Sequence, residues 1–271
     1  MNIIDAMRMP FLQKALAGAI IVGFLASYYG VFIVQRKMSF LGSGLAHSAF
    51  GGVALGLLLE IEPLLIAVPF TITVAVAIIF LKNKTGLGSD TSIGILFAVS
   101  MALGIIFLSI KKTYSADAYS YLFGSILSVF NADLILGGIV ALATIIMSMK
   151  YWKRWAYSTF DQELASSDHV PVIRDDYLLS IMIGFTIVIA MKIAGIVLIA
   201  AFLVIPAAAA RMLAKTFFGM TAISVIIGTA SAIAGLVLSF FLDLPSGAVI
   251  IMVQAVIFLI FAIIRGIVPK V

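Results

Sequence analysis

The chain has 271 residues, of which 63% are hydrophobic and 11% charged, whereas a soluble domain is roughly 45–50% apolar and about 25% charged; this composition excludes a water-soluble globular fold. Cysteine is absent, which removes disulfides and thiolate metal sites and leaves oxygen, nitrogen or thioether as metal ligands. The formal charge of +5 reads as lysine and arginine marking cytoplasmic loops, and nothing points to nucleic acid.

Met1 to Pro10 forms a short amphipathic lead-in without the features of a cleavable signal peptide, so the first hydrophobic segment is expected to stay. A spanning helix needs about 20 mostly apolar residues. The apolar stretches predict spans at 11–34, 44–59, 64–82, 92–110, 132–150, 177–191, 193–210, 220–242 and 247–264. The expected fold is therefore all-α, a polytopic membrane helix bundle of about 8–10 spans in one transmembrane domain, residues 1–271. The second and sixth stretches are short for about 30 Å of hydrocarbon, which predicts tilted, broken or incompletely spanning helices there. Tyr119 to Phe130 is apolar but too short to cross, and reads as a surface-lying or re-entrant helix. The longest hydrophilic stretch, Lys150 to Tyr177, is too short for a soluble domain.

Positive charge sets the expected orientation. With the amino terminus outside, 12 basic residues fall on inner segments and 5 on outer ones, while the acids divide 6 and 6; only lysine and arginine report topology. The carboxyl terminus is thus expected in the cytoplasm.

Gly42, Gly44, Gly51, Gly52 and Gly56 crowd one predicted span, as expected where helices approach closely in lipid. In the same span His47 is the ionisable residue, and an ionisable group inside a membrane is costly enough to be a functional candidate. Neutral imidazole is a common zinc ligand, and Ser43 lies four residues earlier on the same helical face. One histidine and one hydroxyl make a poor metal site alone. Asp90 reads as a helix N-cap, and Asp243 as part of the turn before the last span. His169 reads as a solvated loop residue. Pro206 bends or breaks its helix, which then delivers a compact knob to the cytoplasm: Arg211, Met212, Leu213, Ala214, Lys215, Thr216, Phe217, Phe218 and Gly219. No GxxxxGK[ST] phosphate loop occurs, so any ATP must be held by another chain. HExxH and GxSxG are also missing, which argues against a membrane protease or hydrolase.

These residues also resemble a family, the permease subunits of zinc, manganese or iron ATP-binding-cassette importers (ZnuB-like). The resemblance rests on Arg36-Lys-Met-Ser-Phe-Leu-Gly-Ser-Gly-Leu-Ala-His47 with Gly52-Val-Ala-Leu-Gly56, on Asp90-Thr-Ser-Ile-Gly94, and on Leu122-Phe-Gly-Ser-Ile-Leu127. It continues through Phe160-Asp-Gln-Glu-Leu-Ala165, Leu203-Val-Ile-Pro-Ala-Ala-Ala-Ala-Arg211 and Asp243-Leu-Pro-Ser-Gly247. It implies a fold like that of cobalamin-type importer permeases in a multi-pass bacterial cell-membrane protein. It further implies a homodimer, two ATPase subunits, an extracytoplasmic metal-binding protein and a divalent metal ion as substrate, with no tightly bound cofactor. The family's ATPase-contacting segment corresponds to Arg211 to Gly219. The family's metal path uses an aspartate and a histidine four residues apart; here His47 is kept and Ser43 stands in the aspartate position. That loss weakens a preference for manganese and leans the expectation to zinc. The rival expectations are an ion-coupled secondary transporter, which needs membrane-embedded acids, and a permease for a metal chelate or cobalamin.

Overall fold

The structure is a computed structural model and describes residues 9–111 and 129–267. Ten helices follow one another among these residues: α1 (Pro10–Gln35), α2 (Phe40–Leu59), α3 (Pro63–Thr85), α4 (Ser89–Lys111), α5 (Asn131–Phe160), α6 (Gln162–Ser167), α7 (Val172–Ala194), α8 (Ile196–Leu213), α9 (Phe217–Leu242) and α10 (Ser246–Ile267). Each predicted span falls on one long helix except 193–210, which starts in the last two residues of α7 and crosses Gly195 into α8, and α6 is the only short helix among them. Seven are long and apolar enough to cross a membrane. The other two long helices are α7, which carries Arg174, Asp175 and Asp176 in its first turns, and the 18-residue α8. The helix expected at Tyr119 to Phe130 lies, but for its last two residues, outside the described residues.

Three departures from the sequence expectations are local. The second span starts at Phe40 and the sixth at Val172, so both helices reach 20 residues or more and neither is short. Asp90 lies inside the first turn of α4 rather than at its cap; a carboxylate there is favoured by the helix dipole. Pro206 does not break α8, which runs through it. The break comes earlier, at Gly195, whose φ of 84° turns the end of α7 into the start of α8 and suits a residue without Cβ. Asp243 sits in the predicted turn, in the left-handed region at φ 52°.

Side-chain bonds define the two ends of the bundle. At one end Arg36, after α1, meets Ser158 and Thr159 of α5 and Asp176 of α7, and Arg265 of α10 reaches the last carbonyls of α8. At the other end Lys192 of α7 meets Asp133 of α5 at 2.9 Å, and Lys111 of α4 donates to the carbonyl of Leu57 in α2. Successive long helices therefore alternate in direction. The end marked by Arg36 also carries Lys82, Arg154, Arg211 and Lys215, the side that the sequence expectation takes as inner.

Helices α1 and α2 form the centre and are buried along most of their length. Close approach is built on glycine: a Cβ on Gly30 would lie 1.9 Å from the carbonyl oxygen of Leu203, and one on Gly52 would lie 2.7 Å from Cα of Ala67. Only hydrogen fits there, so α1 meets α8 and α2 meets α3 backbone to backbone, the packing that associates helices where lipid offers no hydrophobic drive. Outward faces are apolar instead, as with Ile135, Ile139, Leu142 and Met149 of α5 or Met252, Val256 and Ile263 of α10. Three buried hydroxyls are satisfied locally: Ser48, Thr144 and Thr186 each donate to the carbonyl four residues earlier.

Candidate functional site

The first candidate position, His47, lies on α2, one of the two central helices. Most of α2 is sealed by its neighbours, with Gly44 and Gly51 against Ile93 and Ser100 of α4, and Gly52 and Gly56 against Ala67 and Pro63 of α3. Phe40, Ser43 and His47 are less covered than the residues around them and recur at three- and four-residue spacing, so they form one partly open stripe. The His47 ring stands edge-on to Phe97 of α4, with centroids 5.2 Å apart. Phe97 in turn meets Phe40 at 6.1 Å.

The hydrogen bond at Nδ1 fixes what His47 can do. Nδ1 lies 2.9 Å from the main-chain oxygen of Ser43, and a carbonyl can only accept. Nδ1 of the neutral ring therefore holds the proton and Nε2 keeps its lone pair, the arrangement seen in metal-ligating histidines whose second nitrogen donates to a backbone oxygen. The Ser43 hydroxyl is farther from the same nitrogen, at 3.5 Å, so it contributes little to orienting the ring. The structure thus brings the sequence-predicted pair together through the Ser43 backbone more than through its side chain. Among the described residues no group of three His, Asp or Glu side chains converges as a metal site. One chain supplies a single oriented nitrogen, and further ligands would have to come from elsewhere.

The second candidate position, Arg211 to Gly219, is less a loop than two helix ends. Arg211, Met212 and Leu213 close α8, Ala214 to Thr216 connect, and Phe217, Phe218 and Gly219 open α9. Thr216 caps α9, its hydroxyl accepting from the Gly219 amide at 3.1 Å. The guanidinium of Arg265 caps α8 from outside, donating to the carbonyl oxygens of Met212 at 2.6 Å and Arg211 at 3.3 Å; these carbonyls have no partner within the helix. Phe217 is held in an aromatic box, 5.4 Å from Phe32, 5.7 Å from Trp152 and 5.3 Å from Phe160. The knob is thereby rigid, while Leu213, Lys215 and Phe218 face outward.

Sequence reasoning missed the polar network beneath this knob. Arg36 and Asp176 form an ion pair whose side chains are only 9% and 6% exposed, and Arg36 also donates to Ser158 at 3.1 Å and Thr159 at 3.0 Å. Next to it, Arg154 grips the 1% exposed Asp175 through both carboxylate oxygens, at 2.7 and 3.0 Å. The available signal was Asp175-Asp176 at the mouth of an apolar run, since buried acids demand partners. His169 is exposed in the turn between α6 and α7, at φ 61°.

Comparison with known proteins gives this geometry its relatives. The ABC 3 transport family model matches residues 8–265. The high-affinity zinc uptake system membrane protein ZnuB of Haemophilus influenzae is 33% identical over 252 residues, 92% of this chain and 95% of that protein. The manganese transport system membrane protein MntC of Listeria monocytogenes is 35% identical over 254 residues, 94% of this chain and 90% of that one. Among solved structures, PsaBC from Streptococcus pneumoniae in complex with Fab is similar with a TM-score of 0.84 at 34% identity, covering 95% of this chain and 93% of that chain. A metal-chelate type ABC transporter in an inward-facing conformation shares the fold, with a TM-score of 0.73 at 15% identity, over 92% of this chain and 84% of that one.

Proposed function

Since the chain belongs to the ABC 3 transport family and is a membrane permease subunit of an ATP-binding-cassette importer for divalent metal ions, we propose that two copies enclose the path and that His47 of each offers Nε2 to the passing ion. The observation that carries this reading is the Nδ1 bond to the Ser43 carbonyl, which leaves Nε2 its lone pair on a partly open face of a central helix. A lone imidazole binds weakly; a symmetric pair doubles the donors at one axis, and a passing ion is better served by few ligands than by a closed cage.

The substrate reading leans to zinc, because nitrogen donors suit zinc and the Ser43 position supplies no anionic oxygen of the kind that manganese prefers. Nucleotide belongs to a separate ATPase subunit, as no phosphate loop occurs in this sequence. The knob at Arg211 to Gly219 is that subunit's contact, on the inner side selected by positive charge, and the carboxyl terminus lies in the cytoplasm. A metal-binding protein delivers the ion to the opposite face. A gradient-driven mechanism is less well supported: Asp175, Asp176 and Asp133, the least exposed acids among the described residues, are each committed to a basic partner.

Purified permease reconstituted in liposomes with its ATPase and binding protein tests this reading. Zinc is expected to raise ATP hydrolysis, manganese to raise it less, and cobalamin to leave it unchanged. Transport that follows a proton gradient and ignores ATP would refute the reading.

A further inference from the structure

We infer that Phe97 of α4 is a positioning residue for the metal path, holding the His47 ring in the tautomer and orientation that present Nε2; the inference rests on the role given to His47 above. The two rings belong to different helices, with centroids 5.2 Å apart and planes at 84°, inside the edge-to-face range of about 4.5–7 Å. Phe97 also meets Phe40, at 6.1 Å and 69°. Phe40, Ser43 and His47 follow one another at helical spacing, so a ring that reaches both the first and the last of them lies across the level of Ser43.

The backbone fixes where that ring stands. Ile93, Phe97, Ser100 and Gly104 recur every three or four residues and share the face of α4 that turns to α2. One turn before Phe97, a Cβ on Gly44 would lie 2.3 Å from Cγ2 of Ile93; one turn after it, a Cβ on Gly51 would lie 2.7 Å from the carbonyl oxygen of Ser100. Helices that meet this closely are locked in register by packing. Phe97 is therefore a fixed wall beside the imidazole for as long as α4 and α2 stay together.

The wall supplies what the Ser43 bond alone does not. The outer torsion of a histidine is broad and roughly two-fold, and His47 lies on a partly open stripe, where water competes for the Ser43 carbonyl. Apolar rings at that level exclude the competitor, and a hydrogen bond shielded from water is the stronger for it. The 2.9 Å bond from Nδ1 to the Ser43 oxygen then decides which nitrogen carries the proton. Phe97 offers no donor atom to the ion and acts only through the ring it holds.

His169 is the other histidine of the chain and stands exposed in a turn at φ 61°, a conformation that asparagine tolerates, so a His169→Asn background leaves one imidazole to observe. Permease with isotope-labelled histidine in that background, bound to unlabelled ATPase in lipid vesicles, is followed by solid-state nitrogen NMR as zinc chloride is added. The parent is expected to show a protonated Nδ1 and a bare Nε2 that shifts when zinc binds. Phe97→Leu should show both tautomers and need at least roughly tenfold more zinc, with the amount of assembled importer unchanged, whereas Phe97→Tyr keeps the ring and should match the parent. Phe40→Leu, at a ring 42% exposed, removes the brace on Phe97 and should move both readouts the same way by less; it decides alone should Phe97→Leu fail to assemble. A single Nδ1–H tautomer and an unchanged zinc response in the assembled leucine variants would overturn the inference and leave the His47 reading standing. A parent Nε2 that ignores zinc would overturn that reading and the inference with it.

Discussion

Arg36→Ala is expected to destabilise the permease by about 3–5 kcal/mol, the cost of stranding one member of a buried ion pair. The side chain is almost wholly covered and ties α1 to α5 and α7 through Thr159, Ser158 and Asp176. Its removal leaves the Asp176 carboxylate at the mouth of α7 with a single neutral donor, Gln162, and unpairs two hydroxyl contacts besides. Arg36→Lys keeps the charge but loses the planar fork that reaches three partners at once, so an intermediate loss is expected. Replacing both partners, Arg36→Met with Asp176→Leu, removes the uncompensated charge together with the pair and should recover most of the stability. Thermal unfolding in detergent orders these variants; an Arg36→Ala protein that melts with the unaltered chain would show that the pair is not buried in the folded molecule.

His47→Ala should stop metal uptake while leaving the amount of permease in the membrane unchanged. The ring is partly open, and its contacts are the Ser43 carbonyl and one face of the aromatic pair Phe97 and Phe40, so little packing is lost with it. What disappears is the oriented Nε2. Loss of a partner that merely orients a ligand costs roughly 10–100-fold in metal affinity, and loss of the ligand itself should cost at least as much. Ser43→Asp works in the opposite sense by adding an anionic oxygen one turn from the ring, and is expected to raise manganese transport relative to zinc. Competition between the two ions in whole-cell uptake reads both variants; undiminished uptake by His47→Ala would remove this residue from the path.

The spans were legible because lipid demands long apolar runs and closed backbone bonding, and each predicted stretch carries a helix. Where the helices stop was less legible. The span predicted to end at Lys150 continues to Phe160, because Tyr151 to Phe160 alternates charge with aromatics and so loses the hydropathy signal without losing helicity. Gly195 carries no mark distinguishing it from the packing glycines of α2; only its positive φ shows that it turns the chain. His47 was singled out from its cost in a membrane, and the tautomer that leaves Nε2 its lone pair required the Ser43 carbonyl to be located. The Arg36–Asp176 pair joins residues 140 positions apart, and no local pattern announces a partner at that distance. The compact knob expected after Pro206 is the packed junction of two helix ends, and its fastening by Arg265 and the aromatic box joins residues far apart in the chain.

ATP hydrolysed on a partner chain is expected to move a divalent metal ion between two copies of this one. Proteoliposomes holding the permease, its ATPase and its binding protein, with ATP enclosed on the ATPase side and labelled zinc or manganese on the other, measure it directly. Accumulation of metal that requires ATP and is abolished in His47→Ala is the predicted result. Accumulation that continues without ATP, or follows an imposed proton gradient, would contradict it.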